Sequence, residues 1–214
     1  MPASLLSRIM GVMQFNINKK SSSFLCLQSH RQTFSITENW HKNSQAFKFA
    51  IAILAGRKDR GENMIVVYQR VKRAEVRLGG AVCSRIGRGA LLLVGIAQED
   101  NSETARWVAK KVAGLRVHDD AEGKLNLSLK DVAGEVLAVS QFTLLGDCRK
   151  GKRPSYTEAA AAEIAEPLFM RLVEFLRNEG VPVQIGAFGE RMEVELVNDG
   201  PVTVIVQNPK KAPE

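Results

Sequence analysis

The pattern of apolar and polar positions changes character at Met64. Before it no helical or strand period persists. After it, Ile65-Val66-Val67-Tyr68-Gln69-Arg70-Val71 is rich in β-branched residues and predicts a strand. Residues 74–78 and 81–86 flank Gly79-Gly80, a pair suited to a two-residue hairpin turn. Residues 91–97 read as a further apolar strand. Ser102 is placed to cap a helix, with Glu103 in its first turn and Ala105, Val108, Ala109, Val112 and Leu115 on one face. Residues 136–139 predict a buried strand that runs into Ser140-Gln141-Phe142-Thr143. A second helix carries Ile164, Leu168, Leu172, Phe175 and Leu176 along one stripe, with Pro167 expected near its first turn, where a missing N–H is tolerated. Gly180 and Pro182 stop it. Residues 192–197 and 202–206 predict two closing strands joined by Asn198-Asp199-Gly200-Pro201. Strands in mostly sequence-adjacent pairs, interrupted by two helices, predict an α+β domain built mainly on antiparallel sheet.

Charge refines this division. The 214 residues carry a formal +7, which taken whole resembles a nucleic-acid binder. Nine of the Lys/Arg but three of the Asp/Glu lie in residues 1–63, a balance of +6 that leaves +1 for the remainder. The main domain is nearly neutral, so RNA contact would come from a local patch and not a global field. Residues 1–63 are basic, Ser-rich and free of acids before Glu38. That texture fits a disordered extension, sequence upstream of an over-early start, or a targeting segment. The remaining divisions are a domain over residues 64–207 and a flexible tail over 208–214. Three scattered cysteines, Cys26, Cys83 and Cys148, form no metal pair or disulfide framework, which favours a reducing, cytoplasmic setting. The longest apolar run, residues 49–55, is far short of the roughly 20 residues of a membrane span.

Chemistry is approached by elimination. His118 is the one histidine after Met64 and precedes Asp119-Asp120, where an exposed turn position is expected. A Ser-His-Asp or Cys-His arrangement is therefore disfavoured, and Cys148 beside Arg149 and Lys150 lacks a partner base. No P-loop, dinucleotide fingerprint or metal-ligand spacing is present, so neither a metal nor a cofactor is expected. Ser140, Gln141 and Thr143 are polar where a core strand ends. They are either turn-satisfying hydroxyls or the rim of a pocket in which hydroxyls and backbone N–H groups converge on a carbonyl. Nearby, Arg149-Lys150-Gly151-Lys152-Arg153 places four cations in five residues. It is a solvated loop or the place where RNA phosphates would dock.

Two of these segments, Ser140-Gln141-Phe142-Thr143 and Asn198-Asp199-Gly200-Pro201-Val202-Thr203, occur together with Val67-Tyr68-Gln69-Arg70-Val71 and Gly123-Lys124-Leu125-Asn126-Leu127-Ser128. In that combination and order the chain resembles the D-aminoacyl-tRNA deacylases from Met64 to about Gln207. The resemblance implies a barrel-like core, a homodimer, and hydrolysis of the ester of D-aminoacyl-tRNA and also of glycyl-tRNA. Ser140, Gln141, Phe142 and Thr143 would form the catalytic pocket, with the Phe142 and Thr143 amides as oxyanion hole. Gly200 and Pro201, joined by a cis peptide, would reach in from the partner subunit to reject L-amino acids, supported by Arg70. The terminal adenosine 2′-OH of the tRNA would assist the attacking water. Arg149, Lys150, Lys152 and Arg153 are the expected tRNA contacts. The rival reading is a non-enzymatic, dimeric tRNA-binding module.

Overall fold

The computed structural model describes residues 63–208. Strand β1 (Ile65–Leu78) is the longest-reaching organiser of the sheet. It turns at Gly79-Gly80 into β2 (Ala81–Ile86), and both turn glycines have positive φ (+55° and +85°), the requirement of a type I′ hairpin. Strand β3 (Gly89–Gly95) is buried along its whole length. It pairs antiparallel with the first half of β1, Ile65 opposite Gly95 and Val71 opposite Gly89.

The connections that follow change the direction of pairing. Helix α1 (Ser102–Gly114) leads, through a small ribbon of β4 (His118–Asp119) and β5 (Leu125–Leu127), to β6 (Glu135–Ser140). Strand β6 lies parallel to β3. Helix α2 (Ala162–Asn178) then leads to β7 (Val183–Ile185), parallel to β6. Each helix is thus the crossover that two parallel strands require. The sheet is mixed: the pairings of β1 with β2, β3 and β8 are antiparallel, in line with the expected main character, while β3 with β6 and β6 with β7 are parallel. The last strand, β8 (Glu193–Gln207), is a single element where two strands were expected. It pairs antiparallel with β1 over nearly its full length.

Alternation along the strands divides the core in two. Met64 just before β1, Val66 and Tyr68 of β1, Leu92 and Val94 of β3 and Ala138 of β6 face the helices, meeting Val108 and Val112 of α1 and Phe169 and Leu172 of α2. The intervening positions, Val67, Val71, Leu91, Leu93, Leu137 and Val139, face the hollow of the curled sheet with Val76 and Ile86. Both faces of the central strands are therefore covered, which is why β3 and β6 read as continuous apolar runs.

The helices carry three local corrections. The N-cap of α1 is Asn101, whose side-chain oxygen accepts from the Glu103 and Thr104 amides at 2.9 and 3.1 Å; Ser102 is the first helical residue. Pro167 sits in the second turn of α2, where its ring removes the donor to the Glu163 carbonyl; Glu163 is exposed, so water can take that role. Ile164 is exposed and drops out of the stripe, while Leu168, Leu172 and Leu176 are buried as expected. At its end α2 closes as a Schellman motif. The Val181 amide donates to the Leu176 carbonyl at 3.2 Å and the Gly180 amide to the Arg177 carbonyl at 2.9 Å.

Candidate active site

Strand β6 delivers its last residue, Ser140, opposite Val94 of β3. The Gln141 amide still reaches the Val94 carbonyl, at 2.7 Å. There the ladder stops, because Phe142–Leu145 coils into a single 3₁₀ turn. The Gln141 carbonyl accepts from the Leu144 amide at 3.2 Å, and the Thr143 carbonyl from the Gly146 amide at 3.1 Å. The Phe142 and Thr143 amides head this turn, where helical geometry provides no intrahelical acceptor. The Gln141 carboxamide donates to the Thr143 hydroxyl. Two adjacent N–H groups at such a turn form a concavity suited to a negatively charging oxygen.

The turn borders a cavity of about 450 Å³. Ser140, Gln141 and Phe142 form one side; Ile96, Ala160, Ala162 and Ala165 a second; Phe188, Gly189, Glu190, Met192 and Val194 a third. Of the four expected residues, Ser140, Gln141 and Phe142 line this cavity, whereas Thr143 is exposed and is not among its lining residues. The third wall was not anticipated from the sequence. Phe188, Gly189, Glu190 and Met192 come from the loop between β7 and β8, whose residues 186–191 have neither a hydrophobic period nor a recognisable motif, and Val194 from the start of β8. Glu190 places a carboxylate in the lining.

Gly200 and Pro201 lie elsewhere. Gln69 pairs with Thr203 and Val71 with Asn198, so the residues between Asn198 and Thr203 are looped out of the ladder. Both corner residues are exposed, and neither lines the cavity of its own chain. The Gly200–Pro201 peptide is cis. Gly200 has φ +126°, and a Cβ there would come within 2.9 Å of the Val202 amide nitrogen and 3.1 Å of the Arg70 guanidinium.

Arg70 is the strut behind this corner. It is 5% exposed, and its Nε donates to the Asp199 carbonyl at 3.0 Å. Another guanidinium nitrogen donates to the Val117 carbonyl at 2.8 Å and meets Asp119 at 3.2 Å. The Asp199 carboxylate adds a contact at 3.4 Å. A buried guanidinium needs this set of acceptors to offset its desolvation. Asn198 closes the neck of the corner: its Nδ2 donates to the Arg70 carbonyl at 2.8 Å and to the Val202 carbonyl at 3.1 Å.

His118, expected on an exposed turn, is fully buried in β4. Its Nε2 meets the Tyr68 hydroxyl at 3.2 Å. Burial lowers its pKa, and the neighbouring Arg88 and Arg70 push the same way, so it stays neutral. It borders the Arg70 cluster, not the cavity.

The basic loop springs from the end of the 3₁₀ turn. Asp147 and Ser155 exchange backbone hydrogen bonds at 2.7 and 2.9 Å and close its neck. Arg149 folds back onto the Asp147 carboxylate, with N–O distances of 2.7 to 3.0 Å. Lys150, Lys152 and Arg153 are exposed. Of the four cations expected to meet RNA, Arg149 is committed to an internal partner.

A family model described as D-Tyr-tRNA(Tyr) deacylase matches residues 67–207. A D-aminoacyl-tRNA deacylase of Chlorobaculum parvum is 50% identical over 149 residues, which is 69% of this chain and the whole of that relative. One from Symbiobacterium thermophilum is 54% identical over 144 residues, 67% of this chain and 95% of the relative. A solved structure titled c-Myc DNA Unwinding Element Binding Protein superposes with a TM-score of 0.64 at 39% identity, covering 68% of this chain and 99% of that one. A second, titled as a probable eukaryotic D-amino acid tRNA deacylase, shares the fold with a TM-score of 0.59 at 19% identity, covering 68% of this chain and 99% of the other.

Proposed function

The chain belongs to the D-aminoacyl-tRNA deacylases, hydrolases of an ester bond, and from that premise we propose that it edits tRNA by a composite site in which a homodimer supplies both the pocket and the selectivity. The observation that carries this reading is the 3₁₀ turn headed by the Phe142 and Thr143 amides, whose first residue, Phe142, lines the cavity. Water adds to the ester carbonyl, whose oxygen gathers negative charge between the Phe142 and Thr143 N–H groups. Collapse breaks the bond to the ribose oxygen and releases the amino acid and free tRNA. Pre-aimed donors of this kind contribute on the order of 3 kcal/mol each to the transition state. An aminoacyl ester is already activated, so a modest gain suffices.

In this proposal the attacking water passes its proton to the terminal adenosine 2′-OH, which hands its own proton to the departing ribose oxygen, so that the tRNA leaves with both hydroxyls protonated. Thr143 is a poor candidate for a covalent nucleophile, because its hydroxyl is engaged by the Gln141 carboxamide. Ser140 and Gln141 orient the substrate. Selectivity comes from the Gly200-Pro201 corner of the partner protomer. Its position outside its own chain's cavity and its exposure support a role across an interface. Its carbonyls would fill the space an L side chain needs and leave a D side chain pointing outward. Glycine offers nothing to exclude, so glycyl-tRNA is a substrate as well. The tRNA phosphates would meet Lys150, Lys152 and Arg153, with Arg149 shaping the loop.

A second reading, a binding module without turnover, draws on the DNA-binding title of one related structure. Radiolabelled D-tyrosyl-tRNA separates the two. The enzyme releases D-tyrosine at a rate proportional to protein concentration. A module slows the spontaneous loss of label, and that outcome would reject the deacylase assignment.

A further inference from the structure

Two large aromatic side chains stand exposed beside the 3₁₀ turn, one of them, Phe142, lining the cavity, and the hydrolytic step uses neither ring. Phe142 is 55% exposed and Tyr156 39%. The rings meet edge to face, with centroids 5.1 Å apart. Leaving such faces in water forgoes burial that either ring would gain elsewhere. The arrangement is nonetheless built. Gly146 gives up a side chain to it, since a Cβ there would lie 2.8 Å from the Tyr156 ring. The Asp147–Ser155 hydrogen bonds fix the backbone immediately before Tyr156. On one side of the pair, Phe142 lines the cavity. On the other, the closed loop presents Lys150, Lys152 and Arg153, which are exposed and make no ion pair among the described residues.

We propose that the Phe142–Tyr156 pair is a stacking platform for the unpaired base that precedes the terminal adenosine of the tRNA. The inference rests on the deacylase reading above and adds a subsite to it. An aromatic face beside a row of cations matches single-stranded nucleic acid, in which bases alternate with phosphates. An apolar protein partner would meet the same rings but leave the three charges without a counterpart. Stacking accepts any base, as an editing enzyme that serves many tRNAs requires. The platform would also align the chain so that the last nucleotide enters the cavity while its phosphates pass toward the loop.

The test compares two esters, D-tyrosyl-adenosine and the same ester on a CCA trinucleotide, with the wild-type protein, Tyr156→Ala and Tyr156→Phe. The quantity read is the ratio of kcat/KM for the trinucleotide ester to that for the adenosine ester. Removing an aromatic that stacks on a base lowers this ratio by about tenfold in Tyr156→Ala, and Tyr156→Phe, which keeps the ring, stays within about twofold of wild type. A ratio that does not move in Tyr156→Ala overturns the platform, as does a wild-type protein that gains nothing from the extra nucleotides. A wild-type protein that cleaves neither ester rejects the deacylase reading and this subsite with it.

Discussion

Gly200 has a backbone φ of +126°, a conformation that L residues rarely adopt. A methyl group there would press on Val202 at 2.8 Å, with Arg70 close behind. Gly200→Ala should therefore displace the corner and leave most of the fold standing. The expected result is a fall of about tenfold or more in the D-over-L ratio of kcat/KM, the equivalent of roughly 1.4 kcal/mol of lost discrimination. Full discrimination in that variant would remove the corner from the account. Asn198→Ala acts on the same loop from its neck by deleting two hydrogen bonds. It should lower the same ratio while Asn198→Asp, which retains an acceptor but no N–H donor, fails to restore it. Glu190 poses a separate question, because it is a carboxylate in the cavity lining. If the substrate 2′-OH assists the water, a 2′-deoxy terminal adenosine lowers kcat by on the order of 10²-fold or more, the usual scale of acid–base assistance. Glu190→Gln should cost far less. The reverse order of effects would place the base on the protein.

At this scale the sequence was informative where a residue's chemistry is local. Ser140, Gln141 and Phe142 stand at a cavity because a strand that turns polar at its end must turn somewhere. His118 was misplaced because its neighbours Asp119 and Asp120 look like a turn. Its burial depends on Tyr68, fifty residues earlier, which supplies the hydrogen bond. Phe188 and Glu190 carry no signal because a loop wall has no period to read.

Among the elements, local signals carried furthest where one or two residues suffice. The Gly79-Gly80 hairpin and the Gly180 stop of α2 follow from turn and cap chemistry and appear as expected. The direction of strand pairing did not follow from such signals. Each helix returns the chain to the same end of the sheet, so β6 and β7 join in parallel. That is a property of the whole crossover and not of any strand. The looped-out corner of β8 also read as a strand break, since Asn-Asp-Gly-Pro is ordinary turn chemistry.

The start of β1 makes a prediction at this scale. Asp100 is buried and accepts from the Met64 amide at 2.8 Å and the Ala97 amide at 2.7 Å. Burial raises its pKa to about 6, against the opposing pull of those two amides. A raised carboxyl pKa means that the folded state holds the proton more tightly than the unfolded chain does. The contribution of Asp100 is therefore fully present below the unfolded value and declines as pH rises through about 6. Thermal unfolding of the wild type between pH 4 and pH 7 should show this decline, and Asp100→Asn should show less of it. Identical pH slopes in the two proteins would mean that Asp100 does not titrate in that window.

For the molecule as a whole, the charge asymmetry matters more than its sum. With the surplus concentrated in residues 1–63, the described domain would rely, under the proposed reading, on three exposed cations beside an aromatic pair. Replacing Lys150, Lys152 and Arg153 together by Ala should raise KM for tRNA. It should also reduce the slope of log KM against log salt by about 2, as expected when some three phosphate contacts are lost. An unchanged slope would put the tRNA on another face. The proposed homodimer is likewise a statement about the whole molecule. Activity per protomer should fall on dilution through the dissociation range seen by sedimentation, because a single chain has its corner outside its cavity.

The central claim is steric: a corner from one protomer fills the volume that an L side chain would occupy in the other. The most direct measurement is the rate of release from glycyl-, D-alanyl- and L-alanyl-tRNA under one set of conditions, since these differ by the presence and position of a single methyl group. The account predicts that the glycyl and D-alanyl esters are hydrolysed and the L-alanyl ester is spared. Hydrolysis of all three at comparable rates, or of D-alanyl-tRNA with glycyl-tRNA left intact, would contradict it.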